Sequence, residues 1–287
     1  MAKGGEGEVT RVLKRVARVI VDGKFDEALR DLMHLSEKYP DAGEIRPQLA
    51  ELYLRRGESK AKRGKLKEAQ ADFERSLTWK RNPQALVALA KARMEADDLE
   101  EADRLLNAAL EVDDRHGPTH EALGQLFIRW EEYKEAARAF EQALGVGYAT
   151  PELYKSVWEA YLRLERFERA HELILEGVAR FPENDALNAA AGDSWVYTKG
   201  DADEARACWE RALALNPKNF GALFSLAADA AGRGERELAL ERLTAAAALD
   251  LERTRRLWKE DLASPFKKFG DLSRDAEFRR VLGWHND

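Results

Sequence analysis

A small residue returns along this chain at nearly fixed intervals. Ala28, Ala69, Ala102, Ala136, Ala170, Ala205 and Ala239 are separated by 41, 33, 34, 34, 35 and 34 residues. A period near ~34 residues marks a helix–turn–helix unit that buries its apolar face against copies of itself. Few other architectures accept such a ladder, so the chain reads as an all-α solenoid.

The neighbours of each alanine repeat with it. Four residues on stands a large apolar side chain: Leu32, Phe73, Leu106, Phe140, Ile174, Trp209, Leu243. Seven on stands a mostly small one: Leu35, Ser76, Ala109, Ala143, Gly177, Ala212, Ala246. Spacings of four and seven place all three on one helix face. Five residues before each alanine come Gly23, Gly64, Asp97, Glu131, Glu165, Gly200 and Gly234. Glycine reaches the left-handed conformation of a helix C-terminus cheaply, so a preceding helix is expected to end there. Pro40, Pro182 and Pro217, twelve residues after their alanines, close the second helix in three units.

The earlier helix of each unit has its own signature. In one copy it reads Leu123, Gly124 and Phe127, followed by Tyr133, Ala136, Phe140 and Ala143. This pattern resembles the tetratricopeptide repeat family, over roughly residues 9–253. The resemblance implies a right-handed α-α superhelix of about seven repeats, at 9–42, 50–82, 83–116, 117–150, 151–184, 185–219 and 220–253. Residues 1–8 are expected to form a flexible N-terminus and 254–287 a C-terminal helical cap. Leu257, Trp258, Ala276, Phe278, Val281, Leu282 and Trp284 supply the cap's apolar positions, around a break at Ser264-Pro265. The last repeat of a solenoid needs such cover because it has no neighbour.

Two uneven steps interrupt the ladder. Seven extra residues, Gly43 to Leu49, either lengthen a helix or form a loop over Asp41–Arg46 before Pro47. One extra residue in the sixth repeat fits the turn near Lys199–Asp201, which places Ala191, Gly192 and Trp195 where Leu123, Gly124 and Phe127 stand.

Composition narrows function by exclusion. With 287 residues, 45% apolar, 35% charged and a net charge of −6, one elongated domain with exposed charged faces is expected, and no global attraction to nucleic acid. The single cysteine, Cys208, reads as a buried inert thiol and suits a reducing compartment. The start MAKGGEGEVT is polar and no apolar run is long enough for a membrane span, so the expected location is cytoplasmic.

No catalytic constellation emerges. The stretch from Gly57 to Gly64-Lys65 has six residues between its glycines and Leu66 after the lysine, so it is no phosphate loop. His116 and His120 flank Gly117-Pro118 at a helix start and read as surface or packing residues. The chain is therefore expected to be no enzyme and to hold no cofactor or metal.

Partner binding is the remaining class. In tetratricopeptide-repeat proteins, positions 2, 5, 9, 12 and 13 of each repeat face a concave groove. Carried over, these are Lys91, Met94 and Glu95, then Glu121, Gln125 and Arg129, then Lys155, Glu159 and Arg163. Such a mixed-charge wall suits an extended peptide or a helix carrying both charge signs. Farther on, Ala189, Val196, Tyr197, Phe224, Ala228 and Ala231 leave room. Tyr197 and Phe224 are the candidate apolar anchors, unless the chain's own C-terminal segment covers them. Position 9 carries no asparagine, so the family's chaperone-tail binding is not expected.

Two alternatives rest on charge. Residues 53–81 hold ten basic and four acidic side chains, a candidate RNA surface, while 95–114 hold nine acidic and one basic. The same contrast also fits attraction between adjacent repeats. The stripe Val9, Val12, Leu13, Val16, Val19 and Ile20, flanked by Arg11, Lys14, Arg15 and Arg18, suits either helix packing or an anionic membrane surface.

Overall fold

The computed structural model describes residues 3–198, 200–263 and 268–284, and among them every regular element is helical. The chain gathers into two compact units, Met1–Tyr148 and Ala149–Asp287. The expectation of one elongated domain takes no account of this division; in a repeat array each unit packs mainly on its sequence neighbours, so compaction is local.

The first unit holds four antiparallel pairs: α1 (Lys3–Val21) with α2 (Phe25–Lys38), α3 (Ile45–Lys62) with α4 (Leu66–Trp79), α5 (Pro83–Glu95) with α6 (Leu99–Val112), and α7 (Gly117–Arg129) with α8 (Tyr133–Gly145). The second holds three: α9 (Pro151–Arg163) with α10 (Phe167–Arg180), α11 (Asp185–Tyr197) with α12 (Ala202–Leu215), and α13 (Phe220–Gly232) with α14 (Arg236–Leu249). Then come α15 (Leu251–Ala263), a 3-10 turn at Gly270–Leu272 and α16 (Ala276–Val281).

The ladder sets this geometry. Every second helix of a pair starts three residues before its alanine, and all seven alanines are at most 1% exposed. The residue four on fills the space beside the first helix, which answers with a small residue. A Cβ on Gly57 would stand 2.6 Å from the Phe73 ring, on Gly124 2.3 Å from Phe140, and on Gly192 2.4 Å from Trp209. At the turn between the two helices the backbone is left-handed in Gly23, Gly64 and Gly234, and also in Asp97, Glu131 and Glu165. Four of the first helices, α5, α9, α11 and α13, start at side-chain caps: Asn82, Thr150, Asn184 and Asn219 each accept a backbone N–H three residues on.

The uneven steps have distinct outcomes. After the second helix ends at Lys38, a loop runs to Glu44 and α3 begins at Ile45, so the insertion near Gly43–Leu49 becomes part loop and part helix. Pro47 lies in the first turn of α3, where its missing N–H costs nothing. Between α11 and α12 the turn spans 198–201, one residue longer than the turn 130–132 between α7 and α8; Lys199 lies outside the described residues.

Residues 3–8, expected as part of a flexible terminus, begin α1. Glu8 anchors them, accepting from Lys38 Nζ at 2.7 Å and from the Tyr39 hydroxyl at 2.7 Å. These two hydrogen bonds hold its carboxyl below the usual range. Val9 and Val16 are buried against α2 and α3, with Val12, Leu13, Val19 and Ile20 beside them. The stripe considered for a membrane surface is thus occupied in packing.

At the other end Trp258, Phe269, Phe278 and Leu282 are fully buried over Ala227, Ala230, Ala239 and Leu243. Ser264-Pro265 lies outside the described residues.

Candidate partner-binding surfaces

Within each unit the first helices of successive pairs touch: α5 packs on α7, and α11 lies against both α9 and α13. Side-chain caps fix where α5, α9, α11 and α13 start, and therefore which of their side chains face out one, two and three turns later.

In the first unit Lys91 is half-buried and Glu95 exposed on α5, while Gln125 is half-buried and Arg129 exposed on α7. Arg129 Nη2 lies 2.7 Å from Asp97 Oδ1, so part of its charge is already answered by the acidic stretch. Two residues assigned to the wall by the resemblance are not on it. Met94 is buried in the core. Glu121 is also buried, and accepts a hydrogen bond from the Tyr148 hydroxyl at 3.1 Å. Tyr148 reaches it because Gly117 leaves room: a Cβ there would stand 2.1 Å from Tyr148 Cβ.

In the second unit Lys155 and Glu159 are exposed one turn apart on α9, with Lys155 Nζ 3.6 Å from Glu159 Oε1. They line a cleft of about 420 Å³ with Trp158, Asp193, Phe220 and Arg253. Ala186, Ala189 and Ala190 of α11 and Gly221 of α13 keep it open. Asp185 at its edge accepts from the side-chain amides of Asn216 and Asn219, each at 2.8 Å. Burial works against the Asp185 charge, but those amides outweigh it and hold its carboxyl below the ordinary value. The Arg253 guanidinium lies 4.3 Å above the Phe220 ring. Arg163 is exposed at the end of α9 and has an interaction of its own.

Asp193 behaves differently. Burial pushes its carboxyl up to about 6, against hydrogen bonds from Ser225 and Trp209 and the charge of Lys268. Its Oδ1 accepts from Trp209 Nε1 at 3.0 Å and from Ser225 Oγ at 2.9 Å. A raised carboxyl means that between about pH 4 and 6 the folded chain keeps a proton that the unfolded chain has released. Stability from this group is therefore present at low pH and lost as pH rises through 6. Asp193→Asn keeps an oxygen acceptor and should remove this slope. Relative to the parent chain, the variant should gain roughly 1–3 kcal/mol between pH 4 and pH 6.5 in urea titrations. Equal slopes in both chains would rule the effect out.

The two expected apolar anchors part company. Tyr197 is 49% exposed and stacks flat on Phe167, centroids 5.6 Å apart. Phe224 is covered instead: its ring meets Phe269 of the C-terminal segment at 5.7 Å and Phe220 at 6.3 Å. Ala228 and Ala231 join the same cluster. The cap therefore occupies the α13 side, and Phe224 is a packing residue rather than an open anchor.

An apolar cleft does exist, in the first unit, where sequence reasoning places none. It measures about 430 Å³ and lies among α3, α4 and α5, floored by Ala61, Leu66, Phe73, Ala88 and Ala92. Leu66 is 48% exposed there. Of the expected residues, Lys91 and Glu95 stand at its rim.

Half of the ten basic side chains of 53–81 are answered by acids. Arg56 grips buried Asp72 through Nε at 2.9 Å and Nη2 at 2.6 Å, and Lys60 joins at 2.8 Å. Lys65 pairs with Glu68, and Arg81 reaches Glu111 of the acidic stretch at 3.1 Å. The charge contrast thus joins neighbouring pairs. His120 is buried, with Nε2 2.7 Å from the Asp114 carbonyl, and His116 Nδ1 is 2.7 Å from Thr119 Oγ1. Cys208 is buried, and burial pushes its thiol up. Among the described residues no group of three or more His, Cys, Asp or Glu is placed to hold a metal ion, and no helix is long and apolar enough to cross a membrane.

Comparison with known proteins agrees with this architecture. The family model described as tetratricopeptide repeat matches residues 50–83. Among solved structures, a tetratricopeptide repeat protein from Parabacteroides merdae ATCC 43184 is 18% identical, covering 88% of this chain and 98% of its own, with a TM-score of 0.57. Pseudomonas aeruginosa pilF is 17% identical over 79% of this chain and 99% of its own, with a TM-score of 0.65. YrrB, described as a TPR protein with an unusual peptide-binding site, is 22% identical over 66% of this chain and 98% of its own, with a TM-score of 0.52. At these identities the likeness is one of fold. No curated protein matches the sequence significantly.

The antiparallel pairs, the buried ladder and the first-helix walls define a helical-repeat protein, an architecture of protein-interaction scaffolds. The repeat matched at 50–83 has helix pairs of the same build on either side, so the likeness to tetratricopeptide-repeat proteins is one of fold along the array.

Proposed function

We propose that this chain is a non-catalytic scaffold that holds a segment of another protein against its first helices. Lys91, Glu95, Gln125 and Arg129 serve the first unit; Lys155, Glu159 and Arg163 serve the second, with Tyr197 offering apolar area. The observation that carries the reading is positional. Polar side chains at equivalent places on successive touching helices stay open to solvent, while the ladder positions are buried. Glu121 and Phe224 have no part in contact, being taken by Tyr148 and Phe269. The peptide-binding site named for YrrB supports the reading by analogy of fold. The cytoplasm is the setting proposed, on the single buried cysteine.

Reversing charge on both walls tests this. Arg129→Glu with Lys155→Glu should lower partner recovery from the native host at least tenfold, while the far-ultraviolet circular dichroism stays that of the parent. Undiminished recovery would remove these walls from the binding surface. Retained binding to single-stranded RNA at low salt, lost at high salt, would favour the basic stretch instead.

A further inference from the structure

The apolar cleft of the first unit has a rim that selects its occupant. Four charged side chains border it: Glu58 and Lys62 on α3, Lys91 and Glu95 on α5. Among the described residues none of the four has an ion-pair partner. On α3 Arg56 and Lys60 are held by Asp72, and Lys65 before α4 by Glu68. An open apolar floor under unanswered charge is a signature of interaction surfaces.

The order of these charges matters. Each pair is four residues apart, one helical turn, so both members of a pair lie on the same helix face. α3 and α5 each run antiparallel to α4, and therefore parallel to one another. Along that shared direction α3 shows acid then base, and α5 shows base then acid. At each level the cleft has opposite charges on its two banks. A segment of one charge sign gains on one bank what it loses on the other. A segment with an acid and a base on each edge, in diagonal order and one turn apart, is met at all four positions.

The floor sets the anchor. Ala61, Ala88 and Ala92 are too short to fill the space above α4, which leaves Leu66 open. About 430 Å³ admits one or two leucine-sized side chains, and is far too small to bury a helix some 10 Å across. The occupant therefore rests on the cleft and inserts its apolar seam.

We infer that this cleft docks an amphipathic helical segment of a partner protein, with a leucine-sized seam edged by acids and bases in alternating order. The inference rests on the scaffold reading above, and names the chemistry of the segment bound in this unit.

The test uses the full chain and a fluorescein-labelled synthetic 16-residue helix with that seam and those edges, read by anisotropy. Saturable binding in the micromolar range is expected. Leucine-to-serine substitution in the seam, or Leu66→Glu in the protein, should weaken it at least tenfold. Lys62→Glu with Lys91→Glu should do the same, and a peptide whose acids are changed to lysine should recover most of the loss. Arg138→Glu, on the exposed second-helix face of α8, should leave it unchanged. Equal binding by the serine peptide, by a proline-interrupted peptide or by the rim variant overturns the inference, as does no binding to the parent chain. In those cases, partner recovery still sensitive to Lys155→Glu would leave the scaffold reading standing, and insensitivity would remove both.

Discussion

Gly124→Ala is expected to destabilise the first unit by about 1–3 kcal/mol, although alanine is the better helix former. Intrinsic propensity alone favours the substitution by roughly 0.5–1 kcal/mol. The opposing effect is larger: the new Cβ would lie 2.3, 2.5 and 2.7 Å from three atoms of the Phe140 ring. That ring is fully buried on the face carrying Ala136 and Ala143, so it has nowhere to move. Gly145 supplies the control. It is exposed at the end of α8 with no atom near its missing Cβ. Gly145→Ala should therefore gain up to about 1 kcal/mol. Urea titrations of both variants by circular dichroism decide the matter, and two changes of the same sign would contradict the ladder's role.

Trp258→Ala is expected to cost about 3–5 kcal/mol in the second unit, the largest single loss among the substitutions considered. Trp258 is fully buried and stacks on Phe269 at 4.4 Å, with Phe278 at 5.8 Å. Its loss would empty the centre of the cap and wet the alanine face of α13 and Leu243 of α14. The indole N–H makes no hydrogen bond, so the residue contributes volume rather than polarity. Trp258→Phe should accordingly keep most of the stability. Thermal melts of the pair separate the explanations: if phenylalanine is as damaging as alanine, packing is not what the tryptophan supplies.

Much of the fold was legible because it rests on short, repeated spacings. The alanines give the face of each second helix, and each of these helices starts three residues before its alanine, down to Arg236, which begins α14. Asn82-Pro83 and Thr150-Pro151 also announce the first helices, since a capping side chain before a proline satisfies the terminal N–H groups. That signal was available and would have fixed the register independently.

The walls were less legible, because exposure depends on partners distant in sequence. Glu121 sits at a groove position but is claimed by Tyr148, 27 residues on. Phe224 reads as an open anchor until Phe269 folds back over it. Arg129 is tied to Asp97 in the previous pair. The apolar cleft escaped notice for the opposite reason. It arises from what Ala61, Ala88 and Ala92 fail to fill, and a space between three helices has no sequence motif.

The scaffold reading is tested most directly by site-specific photo-crosslinking in the native host. A benzophenone side chain at Gln125 or Lys155 lies on a first-helix wall, whereas one at Arg138 lies on an exposed second-helix face of α8. The account predicts a discrete crosslinked polypeptide from the two wall positions, absent at Arg138 and lost when Arg129 and Lys155 are reversed to glutamate. Crosslinking from Arg138 with none from Gln125 or Lys155 would contradict it.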